Sequence, residues 1–141
     1  MTTPRSIVCT LLGLALAGTT TSAHAHSPAS AAQAAVCVVI AEQPSRADDG
    51  VFIRVVRCID DNGPLYHTNV HNYRNHLLPL NQSDVAILKD ADFNVLHATP
   101  GVRGNPGINT PSAYANSGVQ ACLETSRYSG GRKQICTGVA G

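Results

Sequence analysis

Residues 36–59 read VCVVIAEQPSRADDGVFIRVVRCI, and the cysteines near their two ends decide the fold. Two short runs rich in Val and Ile, 36–43 and 51–59, flank the turn-forming PSRADDG. β-branched residues suit a pleated surface, and Pro, Asp and Gly suit a turn, so the segment predicts a β-hairpin. Facing residues in a hairpin have a constant index sum. If Cys37 faces Cys58, the turn centres on Ala47 and Asp48, inside the stretch that already reads as a turn.

The closing segment, ACLETSRYSGGRKQIC (121–136), passes the same test. Cys122 facing Cys136 centres a turn on Ser129, where the following glycines can take the positive φ of a tight turn. Each pair can therefore staple its own hairpin with both side chains on one face. The two pairings that cross between hairpins stay open. A zinc site competes, but no C-x-x-C occurs and the other gaps match no usual ligand spacing. Cross-linking a loop of this size contributes roughly 3 kcal/mol in the chain-entropy picture. With no Trp and only two Phe, the core must rest on small aliphatic residues.

The N-terminal residues agree with an oxidising destination. Arg5 precedes an apolar run from Ile7 to Ala17, and Ala23-His24-Ala25 follows as an A-x-A cleavage site. Residues 1–25 read as a secretory signal peptide, 26–35 as a flexible leader and 36–141 as one disulfide-braced β domain. Cys9 would leave with the signal, and four cysteines would remain for two disulfides in a secreted or periplasmic protein. Beyond residue 25 nine basic and nine acidic residues balance, so no global field draws in nucleic acid or anionic membrane, and no later run is long enough for a membrane span.

A third hairpin is expected in DVAILKDADFNVLHA (84–98), with DADFN as its turn. The segment after DDNGP is ambiguous. LYHTNV could add a strand, yet Tyr66, Val70, Tyr73 and Leu77 fall at spacings of 4, 3 and 4. That period favours a short helix over 69–78, opened and closed by prolines. Residues 98–118 carry three prolines and four glycines and read as one long loop. The sum is a mainly β protein: about six strands in antiparallel hairpins, forming a small sandwich or a partly open barrel, with at most one short helix.

Few motifs carry chemistry. His67 and His71 form H-x-x-x-H, which shares a metal only on a helix; on a strand the two lie roughly 13 Å apart. His76 points elsewhere on such a helix, and His97 would have to join from the third hairpin. A metal-handling protein using His67, His71, His76 or His97 is therefore the second reading. Asp90, Asp92 and Asn94 match the start of a calcium loop, but its later Gly and Glu are missing and turn chemistry explains them. His26 would become a copper-chelating terminus after cleavage, yet sits in the leader. Nucleophile elbows, phosphate loops and paired glutamates are missing, so a small secreted enzyme, or an enzyme inhibitor, ranks third. No cofactor is expected.

The hairpin tip 127–133 remains. Arg127, Arg132 and Lys133 flank Ser129-Gly130-Gly131, with Tyr128 beside them. Such a tip suits a carboxylate, sulfate or phosphate, or equally a solvated turn that keeps an edge from aggregating. The leading expectation is an exported, non-catalytic binding module. It would present loop 98–118 and tip 127–133 to a protein partner or an anionic ligand through Arg127, Tyr128, Arg132 and Lys133.

Overall fold

The computed structural model describes residues 35–141, so the predicted signal peptide and all but the last residue of the leader lie outside the described residues. Nine strands follow one another: β1 (Val36–Pro44), β2 (Val51–Asp60), β3 (Gly63–Asn72), β4 (Val85–Asp90), β5 (Val95–Pro100), β6 (Gly107–Asn109), β7 (Ala113–Tyr114), β8 (Val119–Thr125) and β9 (Lys133–Cys136). One sheet runs β1-β2-β3-β6, with β7 also pairing β3; the other runs β5-β4-β8-β9. All pairings are antiparallel. The sheets pack face to face as a small sandwich and do not close into a barrel.

Period-2 alternation builds the core. Val51, Ile53 and Val55 of β2 and Tyr66 and Val70 of β3 point inward and meet Ala86, Leu88, Val119, Ala121 and Leu123 of β4 and β8. Thr68 is fully buried among them and donates its hydroxyl to the Ile87 carbonyl of the other sheet at 2.8 Å. Ile40 is an extra residue in β1, a bulge that lets both Ile40 and Ala41 pack on the core.

Both disulfides form as the register argument requires, Cys37–Cys58 and Cys122–Cys136. Each joins directly paired residues of adjacent strands. By alternation Cys58 and Cys122 belong to the outer faces, opposite the core residues of the same strands. The staples thus stiffen the sheets from outside and leave the inner faces to aliphatic side chains. Two such intramolecular disulfides suit an oxidising environment.

The expected helix over 69–78 does not form. Strand β3 continues to Asn72, and 73–79 is an irregular turn. A spacing of four is even, so Tyr66 and Val70 share a face of a strand as well as of a helix. The competing alternation ran through Thr68 and Asn72, polar residues that mask an inward face. Tyr73 and Leu77, the rest of the apparent stripe, are 57% and 69% exposed. Residues 98–118 also hold more structure than a loop: Pro100 ends β5, and β6 and β7 line the edge of β3. The third hairpin does form, as β4 and β5. Asp90 caps its turn by accepting from the amides of Asp92 and Asn94.

Leu88 is fully buried between the sheets. Leu88→Ala should lower the unfolding free energy by ~2–5 kcal/mol, measured by denaturant titration under oxidising conditions. A loss below about 1 kcal/mol would mean that the two sheets do not share this core.

Candidate functional site

Strand directions bring four segments to one end of the sandwich: the β1–β2 turn (45–50), the β3–β4 connection (73–84), residues 101–106 and the β8–β9 tip (126–132). Hydrogen bonds tie them together. Tyr73 N–H donates to the Gly50 carbonyl at 3.0 Å, and the Arg74 guanidinium to the Asp48 carbonyl at 2.6 Å. Gly50 has φ 72°, and a Cβ there would meet Arg74 Cγ at 2.9 Å, so the approach of these two turns needs glycine. Gly101 N–H donates to the Asp84 carbonyl at 2.7 Å, and Asn72 N–H to the Pro106 carbonyl at 2.8 Å. Buried Asn72 also shapes the 73–79 turn, donating to the Leu78 carbonyl and accepting from Arg74 N–H.

At the centre lies Asp84, fully buried. Its carboxylate accepts Thr125 Oγ1 at 2.5 Å, Asn81 N–H at 2.9 Å, and Arg127 through Nη2 at 3.1 Å and Nε at 3.3 Å. Arg127 Nη2 also donates to the Pro79 carbonyl at 3.0 Å. The Arg127 side chain is only 5% exposed. Its remaining nitrogen, Nη1, is buried and has no hydrogen-bond partner among the described residues.

A second cluster joins the tip to the first turn. The hydroxyls of Ser45 and Tyr128 both donate to the Asp49 carboxylate, and lie 2.6 Å apart. Burial pushes the Asp49 carboxyl up, but Ser45, Tyr128, the Val51 amide and nearby Arg127 more than offset it, so its pKa is lowered from the ordinary value. The Tyr128 phenol is pushed up to about 12, first by burial and then by its bond to Asp49. Arg46 lies over the Tyr128 ring, its guanidinium carbon 5.0 Å from the centroid.

Beside these clusters opens a cleft of about 550 Å³, lined by Arg46, Asp48, Asp49, Leu78, Arg127 and Tyr128. A smaller hollow of about 260 Å³ lies on the far side of Tyr128, toward Ser129, Lys133 and Ile135.

The four residues singled out from the tip therefore divide. Arg127 and Tyr128 turn into the domain and line the cleft. Lys133 lines the hollow, and Arg132 pairs with Glu124 on the surface. Gly130 and Gly131 have φ 102° and 83°, as the turn needs. Of the 98–118 stretch only 101–106 reaches this end. His67 and His71 project from the same face of strand β3, too far apart for one ion, and His97 belongs to the other sheet. Burial lowers the pKa of His67, whose Nδ1 has no hydrogen-bond partner among the described residues. Among the described residues no group of three or more His, Cys, Asp or Glu is arranged to hold a metal. No described helix is long and apolar enough to cross a membrane.

Ser45, Arg46, Asp48, Asp49, Leu78 and Asp84 complete the site, and none of them stands out in the sequence as a binding residue. PSRADDG reads as turn chemistry, which it also is. Asp84, alone before an apolar strand, carried the one available signal: a carboxylate beside core residues needs a cation. Comparison of the chain with protein-family models, curated proteins and solved structures finds no match.

The Ser45–Asp49–Tyr128 cluster has a pH signature. Asp49's depressed pKa gives stability that is present above the unfolded value of ~3.9 and lost as pH falls through the lower folded value. Tyr128's raised pKa gives stability present below the unfolded ~10 and lost as pH rises through about 12. Tyr128→Phe should cost ~1–3 kcal/mol at neutral pH and abolish the alkaline loss specific to the wild type, read from denaturant midpoints across pH. Identical alkaline profiles for the two proteins would contradict the assignment.

Proposed function

We propose that this domain is an exported, non-catalytic binding module whose loop end receives an anionic group of a ligand or protein partner. The observation that carries the reading is the open cleft at the loop end, lined by two guanidinium side chains, Arg46 and Arg127, the second held in place by Asp84. A carboxylate or phosphate oxygen entering the cleft would accept a charge-assisted hydrogen bond from exposed Arg46. Arg127 beside it adds to the positive charge at the cleft. The cleft volume falls in the range of small-ligand sites.

Rigid placement supports the same reading. Arg127 and Tyr128 are fixed before any ligand arrives, the first by Asp84 and Pro79 and the second by Asp49, so little side-chain freedom remains to be lost. The Cys122–Cys136 staple closes the hairpin that carries them. Export is part of the proposal because it rests on the signal-like residues 1–25 together with the disulfides.

Titrating isotope-labelled protein with acetate and with phosphate tests this directly. Amide shifts should concentrate in 45–50 and 126–133 and saturate, and Arg46→Gln should weaken both ligands about tenfold, a loss of ~1.4 kcal/mol. Shifts confined to other parts of the surface, or none at all, would remove the anion reading.

A further inference from the structure

The hollow beyond Tyr128 differs from the cleft in charge. Arg46 lines both. The cleft also holds the carboxylates of Asp48 and Asp49, whereas the hollow adds Ser45, Ser129, Lys133 and Ile135 and no acidic side chain. Strand register explains why Lys133 reaches it. Lys133 pairs with Thr125 and Ile135 with Leu123 across the β8–β9 ladder, and both β8 residues are fully buried on the inner face of their sheet. By alternation Lys133 shares that inner face, while Gln134 belongs to the outer one, where it accepts from Lys89. At the first position of β9 Lys133 is nevertheless exposed. It folds toward the tip, with Nζ 3.5 Å from the point where a Cβ of Gly130 would stand. Arg46 arrives from a turn of the other sheet and lies over the Tyr128 ring.

Neither cation has a hydrogen-bond or ion-pair partner among the described residues, unlike Arg127, held by Asp84, and Arg132, held by Glu124. Two like charges from different sheets thus share one hollow of about 260 Å³ with the Ser129 hydroxyl. An inward lysine also hinders edge-to-edge pairing of β9, but that role requires no second cation beside it. We infer that the hollow takes a doubly charged phosphate group, free or as a monoester. Near neutral pH such a group carries about two negative charges and presents its oxygens in several directions. That matches a guanidinium fork, an ammonium and a hydroxyl; a carboxylate brings one charge and two coplanar oxygens. This inference rests on the anion-binding reading above and names the opening and the ion.

Four probes separate charge from shape: methyl phosphate, inorganic phosphate, methyl sulfate (tetrahedral, one charge) and acetate. Binding is read by calorimetry and by amide shifts on the oxidised protein at pH ~7.5, above the second phosphate pKa. Methyl phosphate should bind at least ~10-fold more tightly than methyl sulfate or acetate, a difference of ~1.4 kcal/mol. Its shifts should centre on Arg46 and on Ser129 to Lys133 rather than on Asp48 and Leu78. Lys133→Gln should weaken methyl phosphate about tenfold and remove its advantage over methyl sulfate. Because the Lys133 ammonium bonds no other described residue, this variant should keep the wild-type denaturation midpoint. Inorganic phosphate separates the sources: binding equal to methyl phosphate marks a site for the free ion, weaker binding a site for the ester, and either supports the inference. If Arg46→Gln weakens methyl phosphate while Lys133→Gln does not, the ion sits in the cleft; the inference falls and the anion reading stands. Methyl sulfate binding as tightly as methyl phosphate would overturn the inference in the same way. Failure of all four probes to bind saturably at millimolar concentration would overturn both.

Discussion

Everything at the loop end depends on one buried ion pair. Asp84 immediately precedes the central strand β4, and Arg127 follows the end of β8; the two meet with side chains 0% and 5% exposed. Neither charge could be left alone there, since removing one partner of a buried pair costs ~3–5 kcal/mol. The carboxylate is saturated by Thr125, Asn81 and the Arg127 fork, and the guanidinium also reaches the Pro79 carbonyl. One contact therefore orders the β3–β4 connection, the end of β8 and the tip at once. It also fixes Arg127 against the cleft that Arg46, Asp48, Asp49 and Tyr128 line, which makes that opening a candidate site.

The sandwich supplies the setting. An aromatic-poor chain fills its interior with Val, Ile, Leu and Ala, and the disulfides sit on the outer faces where they do not compete for that volume. Cys37–Cys58 fixes the register of β1 and β2, and so where the 45–50 turn falls. Cys122–Cys136 does the same for β8, β9 and the tip. The two stapled hairpins belong to different sheets, yet their turns meet through Tyr128, Ser45 and Asp49. Rigid covalent registers on both sides make a hydroxyl–carboxylate cluster between sheets reproducible without a large core beneath it.

Local features of this architecture were legible in the sequence, and long-range ones were not. Hairpin registers follow from index sums and cysteine positions, because strand pairing across a short turn is a local constraint. The β4–β5 turn follows from Asp90 and Asn94 for the same reason. Strand β3 was obscured because Tyr66 and Val70 are spaced equally well for helix and strand, while Thr68 and Asn72 hide the inward alternation. In the sequence Arg127 reads as one of three cations at the hairpin tip. Its inward turn depends on Asp84, forty-three residues earlier in the chain, and nothing local links the two. The partners of Tyr128 lie still further away, at Ser45 and Asp49. Sheet stacking brings these residues together, and no period or motif encodes it.

The central claim is that Asp84–Arg127 makes the loop end one ordered unit. Amide hydrogen exchange on the double variant Asp84→Asn/Arg127→Met tests it most directly, because this change removes the pair without stranding a buried charge. The account predicts that protection falls together in 73–84, 45–50 and 126–132, while the paired centres of β2, β3 and β8 keep theirs. Loss confined to 126–132, or unchanged protection throughout, would contradict it.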